Sequence, residues 1–457
     1  MSGMPTPLLK PALFFAVGTY SVLQAIVMPV VPEITRRFDS TPAEAAWIVS
    51  GFLITGAVVP PIAGRVGDLI GHRRTLMLTL CLFVFGVVLA VLAQSMLVLV
   101  IARMIQGLGS AFISLGLSIA KTSYPPDKVA GAVGMISTTM AVGSGLGLSL
   151  SGLITTFLGY HAIFVIPLIF SVVAVGLLIP QLGHDAPRRP GLGRINWLGG
   201  AFFMLGLALV LLAITSGNLW GWMSARTVLS MAGGLVVLAL WVLVEGRAGS
   251  PLIDLRLFAS RDIRRAGYST LLLGGLAFAT YNLIPMFLGS SDGGLDLGTA
   301  ANGLVMLPIS VGTLVVGLFA GRLSERFGAR GLFLLGAGVN VVVLSAAFVV
   351  HESVPAVMAL ELVHGMAVGA AWASLPAIIM LFAPPDASGV AAGIYNTLRA
   401  VGGAVGAQIM FGIMSSGGTD PSADVFAHAL AFIVGLTVAA LLCALFLGSG
   451  RRGRSGR

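Results

Sequence analysis

Charge is what this sequence has least of. Only 9% of its 457 residues are charged against 57% hydrophobic, and the mean hydropathy is +1.00. A water-soluble chain covers its surface with about 25% charged residues, so a soluble fold is excluded and a polytopic membrane protein is left. Cysteine is equally scarce. Cys81 and Cys443 both fall in apolar runs, which excludes a disulfide framework and a cysteine metal site. Six scattered histidines have no ligand spacing, so no metal is expected. The apolar run from Pro11 to Val31 is too long for a signal-peptide core and is not followed by a small-residue cleavage site, so it is kept as the first spanning helix. The loops are too short for a catalytic or signalling domain. That argues against an enzyme or a membrane sensor.

What is present is a series of long apolar runs. A spanning helix needs about 20 mostly apolar residues. By that rule fourteen spans are expected, at 11–31, 46–63, 75–94, 97–120, 131–158, 161–180, 197–216, 227–244, 266–288, 301–320, 331–350, 354–380, 390–414 and 425–448. The net charge of +9 and pI near 10.2 would suit nucleic acid, but the basic residues have another explanation. With the N-terminus inside the cell, 21 of the 26 Lys and Arg lie in short loops or tails on the cytoplasmic side. The positive-inside rule then predicts that both termini are cytoplasmic, and no nucleic-acid partner is expected.

The fold is written twice in the chain. Gly64 to Arg74 reads Gly-Arg-Val-Gly-Asp-Leu-Ile-Gly-His-Arg-Arg, and from Gly321 a second copy reads Gly-Arg-Leu-Ser-Glu-Arg-Phe-Gly-Ala-Arg. Gly64, Arg65, Asp68, Gly71 and Arg73 correspond to Gly321, Arg322, Glu325, Gly328 and Arg330 at a constant shift of 257 positions. Glycines permit φ > 0 in a tight turn, and an acid at a helix start suits the positive end of its dipole. Further on, Arg103, Gln106 and Gly107 in span 4 align with Glu361, His364 and Gly365 in span 12, and Gly143 and Gly147 in span 5 with Gly402 and Gly406 in span 13. Six spans need roughly 190 residues, so this shift leaves spans 7 and 8 as a surplus outside the repeat.

The paired turns resemble the signature of the major facilitator superfamily, Gly-x-x-x-Asp-Arg/Lys-x-Gly-Arg-Arg/Lys, with Leu69 and His72 where that family usually has basic residues. The fourteen-span layout is similar to the family's drug:proton antiporter branch. Three local marks support this: Ile195-Asn-Trp-Leu-Gly-Gly, Pro251-Leu-Ile-Asp-Leu-Arg-Leu-Phe and Asn396-Thr-Leu-Arg-Ala-Val-Gly-Gly. The resemblance implies an all-α integral membrane protein: a major-facilitator-type bundle of two six-helix lobes with two inserted helices. The expected divisions are 1–180, 181–265 for the insert, 266–449, and a basic cytoplasmic tail at 450–457. It also implies conformational gating at the turns (Gly64, Arg65, Asp68, Gly71, Arg73, Gly321, Glu325 and Arg326) and at Gly143 and Gly147 of span 5. Two departures stand out. Leu148 and Ser151 replace a proline and a glycine of the antiporter span-5 signature, and Leu23 stands where the branch often has a membrane aspartate.

Ionisable groups inside a membrane are functional suspects because burying them is costly. Of the 17 acids, only Glu361 is placed well inside a span, about seven residues or roughly 10 Å from its outer end. Glu361 and His364 are i, i+3 neighbours that can share a proton. Arg103 matches the span-4 arginine of the antiporters, so Glu361, His364 and Arg103 form the expected proton-coupling set. The alternatives are a structural ion pair for Glu361 and carbonyl contacts for Arg103. Arg399 is expected to snorkel towards the cytoplasm in a structural role. A central substrate cavity is expected at Tyr20, Gln24, Trp47, Tyr281, Asn282, Trp372, Tyr395 and Asn396, although each also suits an interhelical hydrogen bond or an interfacial aromatic.

Gly289-Ser-Ser-Asp-Gly293 satisfies the Gly-x-Ser-x-Gly nucleophile pattern, but it follows a membrane helix instead of a strand and reads as a flexible turn. The expected function is secondary active export of small hydrophobic or amphipathic molecules. It would be driven by the proton gradient with no cofactor, by a monomer in the lipid of the cell's inner membrane. Lipid or metabolite export, or proton-coupled uptake, fits the same fold.

Overall fold

The computed structural model describes residues 7–184, 196–249, 251–253, 260–291, 294–350, 353–383, 387–415 and 422–445. The basic tail, Arg188, Arg189, Arg194, Ile195 and residues 254–258 of the Pro251 mark lie outside these, as do Asp292 and Gly293 of the Gly-x-Ser-x-Gly match, whose Gly289 is the last residue of its helix.

Every regular element among the described residues is helical. The chain runs through α1 (Leu9–Ile26), the short α2 (Val31–Arg37), α3 (Pro42–Ile70), α4 (His72–Val91), α5 (Met96–Gln106), α6 (Ala111–Ser123), α7 (Pro126–Leu158) and α8 (Ala162–Leu178). It continues with α9 (Trp197–Trp220), α10 (Ala225–Gly246), α11 (Arg261–Gly289), α12 (Thr299–Ala346), α13 (Val354–Phe382), α14 (Ser388–Ser415) and α15 (Ala423–Leu445). Thirteen of its helical stretches are long and apolar enough to cross a membrane. One of them, Ala301–Ala346, is 46 residues long. At 1.5 Å per residue that is about 69 Å, more than twice a hydrocarbon core of about 30 Å. It is two spans joined at Gly328, whose φ of 72° and ψ of 157° break the helix. Fourteen crossings result among the described residues.

Sequence explains where the helices begin. Before α3, Thr41 and Glu44 form a reciprocal capping box with Pro42 in the first turn. The Thr41 backbone N–H and hydroxyl both donate to Glu44 and hold its exposed carboxyl below the usual range. Span 4 is split into α5 and α6 by a 3₁₀ turn, Gly107–Ser110. Its glycines are forced by crowding: a methyl on Gly107 would lie 2.7 Å from the Phe52 carbonyl, and one on Gly109 2.7 Å from the Tyr20 ring.

The repeat reappears as packing. In the N-terminal half, Gly143 and Gly147 of α7 lie against the α1 backbone at Gly18 and Val22. In the C-terminal half, Gly402 and Gly406 of α14 lie in the same way against α11 at Leu271 and Gly275. Two long contacts join the halves, α3 against α14 and α7 against α12. The surplus pair sits outside the first seam. Phe203, Leu207, Leu211 and Ile214 of α9 pack on Ile54, Ala57 and Val58 of α3 and on Val390 and Ala404 of α14, while α10 packs mainly on α9.

Candidate functional site

The first glycine turn joins the two halves on one side of the molecule. Gly71, with φ of 110°, ends α3 and starts α4, a geometry that strongly favours glycine. This turn brings His72 Nε2 within 3.0 Å of Asp68 Oδ1. Asp68 in turn reaches into the other half, where its two oxygens accept the backbone N–H groups of Gly389 at 3.1 Å and Val390 at 3.2 Å, the first turn of α14. A carboxylate there satisfies orphan N–H donors and meets the positive end of the dipole. Gly64 and Gly389 let the two backbones touch, and Lys121 Nζ donates to the Ala383 carbonyl at 2.6 Å close by. Arg73 instead braces its own half, donating to Ser123 and to the Gln181 carbonyl.

The second turn shares the backbone and lacks the contact. Gly328 matches Gly71 in its left-handed φ, but Glu325 is exposed and makes no hydrogen bond to the N-terminal half among the described residues. Arg326 is exposed and lies over Phe327, and Arg330 donates to the Leu445 carbonyl. Gly321 meets Gly131 across the second seam.

Two arginines are buried in the middle of the molecule. Arg103, 1% exposed, donates to the carbonyls of Ile48 and Leu23 and to Gln106 Oε1, with Phe52 stacked 4.1 Å from its guanidinium. All of these partners lie in the N-terminal half, and Leu23, the position of the absent aspartate, contributes its backbone oxygen. Arg399 is 4% exposed and does not snorkel, which corrects the sequence expectation. It donates from Nε and Nη2 to Asn396 Oδ1 on its own helix and lies 5.7 Å from the Trp372 ring centroid, so its face of α14 turns inward. Tyr20, Tyr281 and Tyr395 are all within electrostatic range of it. Asn396 Nδ2 donates across the seam to Ser110 at the end of the 3₁₀ turn, and Thr397 to the Ala57 carbonyl.

The expected cavity residues divide. Tyr20, Trp372, Tyr395 and Asn396 gather around Arg399, and the Tyr395 hydroxyl and Gln24 Oε1 are buried without a hydrogen-bond partner among the described residues. Trp47 packs half-buried against the cluster of α3, α9 and α14. Asn282 bonds to the Phe278 carbonyl of its own helix. Tyr281 packs beside Leu288, Met306 and Val357.

Glu361 is 7% exposed, and its Oε2 has no hydrogen-bond partner among the described residues. No basic residue pairs with it there, and Arg103 is committed to its own carbonyls. His364, one turn on, is 3% exposed and directs Nδ1 to Asn340 Oδ1 on α12 at 2.5 Å. The repeat is visible here too, since Gln106 at the matching position of span 4 donates to the Gly86 carbonyl on α4. The sequence reading missed Asn340 and the central place of Arg399. The Arg399-Asn396 spacing of one helical turn was the signal available.

The family model described as Major Facilitator Superfamily matches residues 13–407 and 268–453. The chain belongs to that superfamily. It is 30% identical over 397 residues to the drug efflux pump JefA of Mycobacterium tuberculosis, a match covering 86% of this chain and 77% of that one. It is also 28% identical over 416 residues to an uncharacterised MFS-type transporter of Mycobacterium tuberculosis, covering 88% of this chain but 59% of the other, so it spans less than two thirds of that relative's length. Among solved structures it resembles the human organic anion transporter MFSD10, with a TM-score of 0.70 at 15% identity over 97% of this chain and 100% of that chain, a likeness of fold. The family and its relatives are transporters and not enzymes.

Proposed function

We propose that this chain is a proton-coupled exporter of small hydrophobic or amphipathic compounds. It would work as a monomer in the lipid of the cell's inner membrane with both termini in the cytoplasm, and would need no cofactor beyond the proton gradient. The orientation follows from the basic loops, which gather on the side of the glycine turns. The two halves rock about the seams α3–α14 and α7–α12, so that the centre around Arg399 faces each side in turn. The drug efflux named for JefA supports the direction of traffic.

The observation that carries the reading is Glu361, a carboxylate in an apolar interior with no Lys or Arg paired to it among the described residues. Such a group is costly when charged, and protonation removes the cost. A cycle that exposes Glu361 to opposite sides in its two states couples that proton to substrate movement. Purified protein in liposomes, with an imposed pH gradient and the uncharged dye Nile red, tests this. Glu361→Gln is expected to lose at least 90% of gradient-driven dye movement while keeping the dye affinity of the wild type, and His364→Ala to change the pH profile without abolishing activity. Uphill movement by Glu361→Gln at the wild-type rate sinks the coupling claim.

A further inference from the structure

The cavity that holds Glu361 is not the centre between the halves. It lies inside the C-terminal half, among the outer ends of α11, α12, α13 and α15, on the side away from the glycine turns, and encloses about 310 Å³. That is the lower end of the range for drug-sized ligand pockets, about 300–1,000 Å³. Its wall is aliphatic and aromatic, with Phe287, Phe348, Leu360 and Phe426 among the lining residues. Its acidic groups have no cationic Lys or Arg counterpart among the described lining residues. Glu361 is at its inner end with Oε2 unpartnered, and Asp424 is exposed in the first turn of α15. His364 also lines it, with Nδ1 engaged by Asn340, which leaves Nε2 as the ring nitrogen free of that bond.

An apolar chamber with a carboxylate at the inner end, a second at the mouth and no cation selects by charge as well as by size. A neutral ligand gains only the apolar contact. An anion meets two carboxylates. An ammonium group with an aromatic or alkyl body gains both the contact and a charge-assisted hydrogen bond. We propose that this pocket is a binding site for lipophilic amines, reached from the side opposite the glycine turns, with Glu361 as counter-ion and Asp424 attracting the cation at the mouth. It is separate from the central substrate path around Arg399. Because one carboxylate serves both, a proton on Glu361 and an amine in the pocket exclude each other. The groups facing Glu361 that bear on this are His364 on its own helix, Asp424 from α15 and Tyr281 from α11, while α12 presents the neutral Asn340.

The proposal shares Glu361 with the proton-coupling reading and is tested apart from it, by equilibrium binding with no gradient. The probes are tritiated propranolol, an aryl secondary amine, and its uncharged counterpart 1-naphthyl isopropyl ether, on protein in nanodiscs. Glu361→Gln is expected to lower the affinity for propranolol at least tenfold and leave the ether unchanged. Val357→Trp, one turn towards the mouth on the same face as Glu361, is expected to exclude both probes. Ala427→Trp, exposed at the rim, does the same without disturbing the core. Wild-type propranolol affinity in Glu361→Gln, or in a folded Ala427→Trp, overturns the pocket. A Glu361→Gln protein that loses amine affinity yet still moves Nile red uphill keeps the pocket and removes the coupling, and the opposite result does the reverse.

Discussion

Arg103 and Arg399 are both buried and have opposite surroundings. Arg103 bonds to two backbone carbonyls and a glutamine, all on helices of its own half. Removing its guanidinium leaves up to three buried acceptors unpaired, at about 1–3 kcal/mol each. Arg399 bonds to the Asn396 side-chain oxygen and to the Tyr20 hydroxyl and rests near aromatic rings, and no carboxylate pairs with it among the described residues. Its charge sits beside Asn396, which bonds across the seam to Ser110. Arg103→Gln is therefore expected to lower the melting temperature and the folded yield sharply, by the equivalent of several kcal/mol, on the order of the summed cost above. Arg399→Gln is expected to fold with a melting temperature near wild type and to lose at least tenfold in dye transport. Arg399→Lys restores charge without the two-pronged contact to Asn396 and should recover little. Scanning fluorimetry beside liposome transport separates the two residues, and equal loss of stability in both would refute the distinction.

At the scale of elements, most of the fold was legible because it is dictated locally. Spans need length and apolarity, and both are properties of contiguous residues, so fourteen runs gave fourteen crossings. The break at Gly328 is one residue wide and was visible both as the charged gap between two apolar runs and as the second copy of the Gly71 turn. What was not legible depends on which face of a helix meets which neighbour. Arg399 lies eleven residues into α14, about 16 Å from its start, a depth from which a side chain snorkels only if its face points outward. Trp47, expected in the cavity, packs half-buried against a cluster drawn from α3, α9 and α14. The Glu361 pocket draws on four helices far apart in sequence. The two glycine turns carry a test at this scale. Alanine at Gly71 or Gly328 forces a non-glycine residue to φ values of 110° or 72°, which costs about 1–3 kcal/mol. Nothing crowds a methyl at Gly328, so Gly328→Ala should lower the melting temperature and spare transport. Gly71→Ala should do both, because Gly71 sets where Asp68 and His72 meet. Unimpaired transport in a Gly71→Ala protein of reduced stability would deny the turn its positioning role.

For the whole molecule, the unequal turns predict an unequal closing of the two halves. The repeat supplies two acids at matching places, Asp68 and Glu325, but only Asp68 crosses a seam, where it accepts two N–H groups at the start of α14. A side-chain acceptor at a helix N-terminus is worth about 0.5–2 kcal/mol, and a full charge adds to it through the dipole. Asn in place of Asp keeps one acceptor oxygen and loses the second bond and the charge. The shift expected is about 1 kcal/mol, or roughly fivefold in the ratio of closed to open turn side. That is enough to change the cycle without unfolding either half, because Lys121 with Ala383 and the Gly64–Gly389 contact still hold the seam. Glu325→Gln removes a solvated charge that has no such contact and should leave the ratio unchanged. Spin labels at Lys128 on α7 and Arg326 on α12, both exposed, report the separation of the halves on the turn side by double electron–electron resonance. Asp68→Asn should populate longer distances and slow dye transport severalfold, and Glu325→Gln should do neither. If both variants open the turn side equally, the closure is symmetric, and the capping contact at α14 is not what holds it.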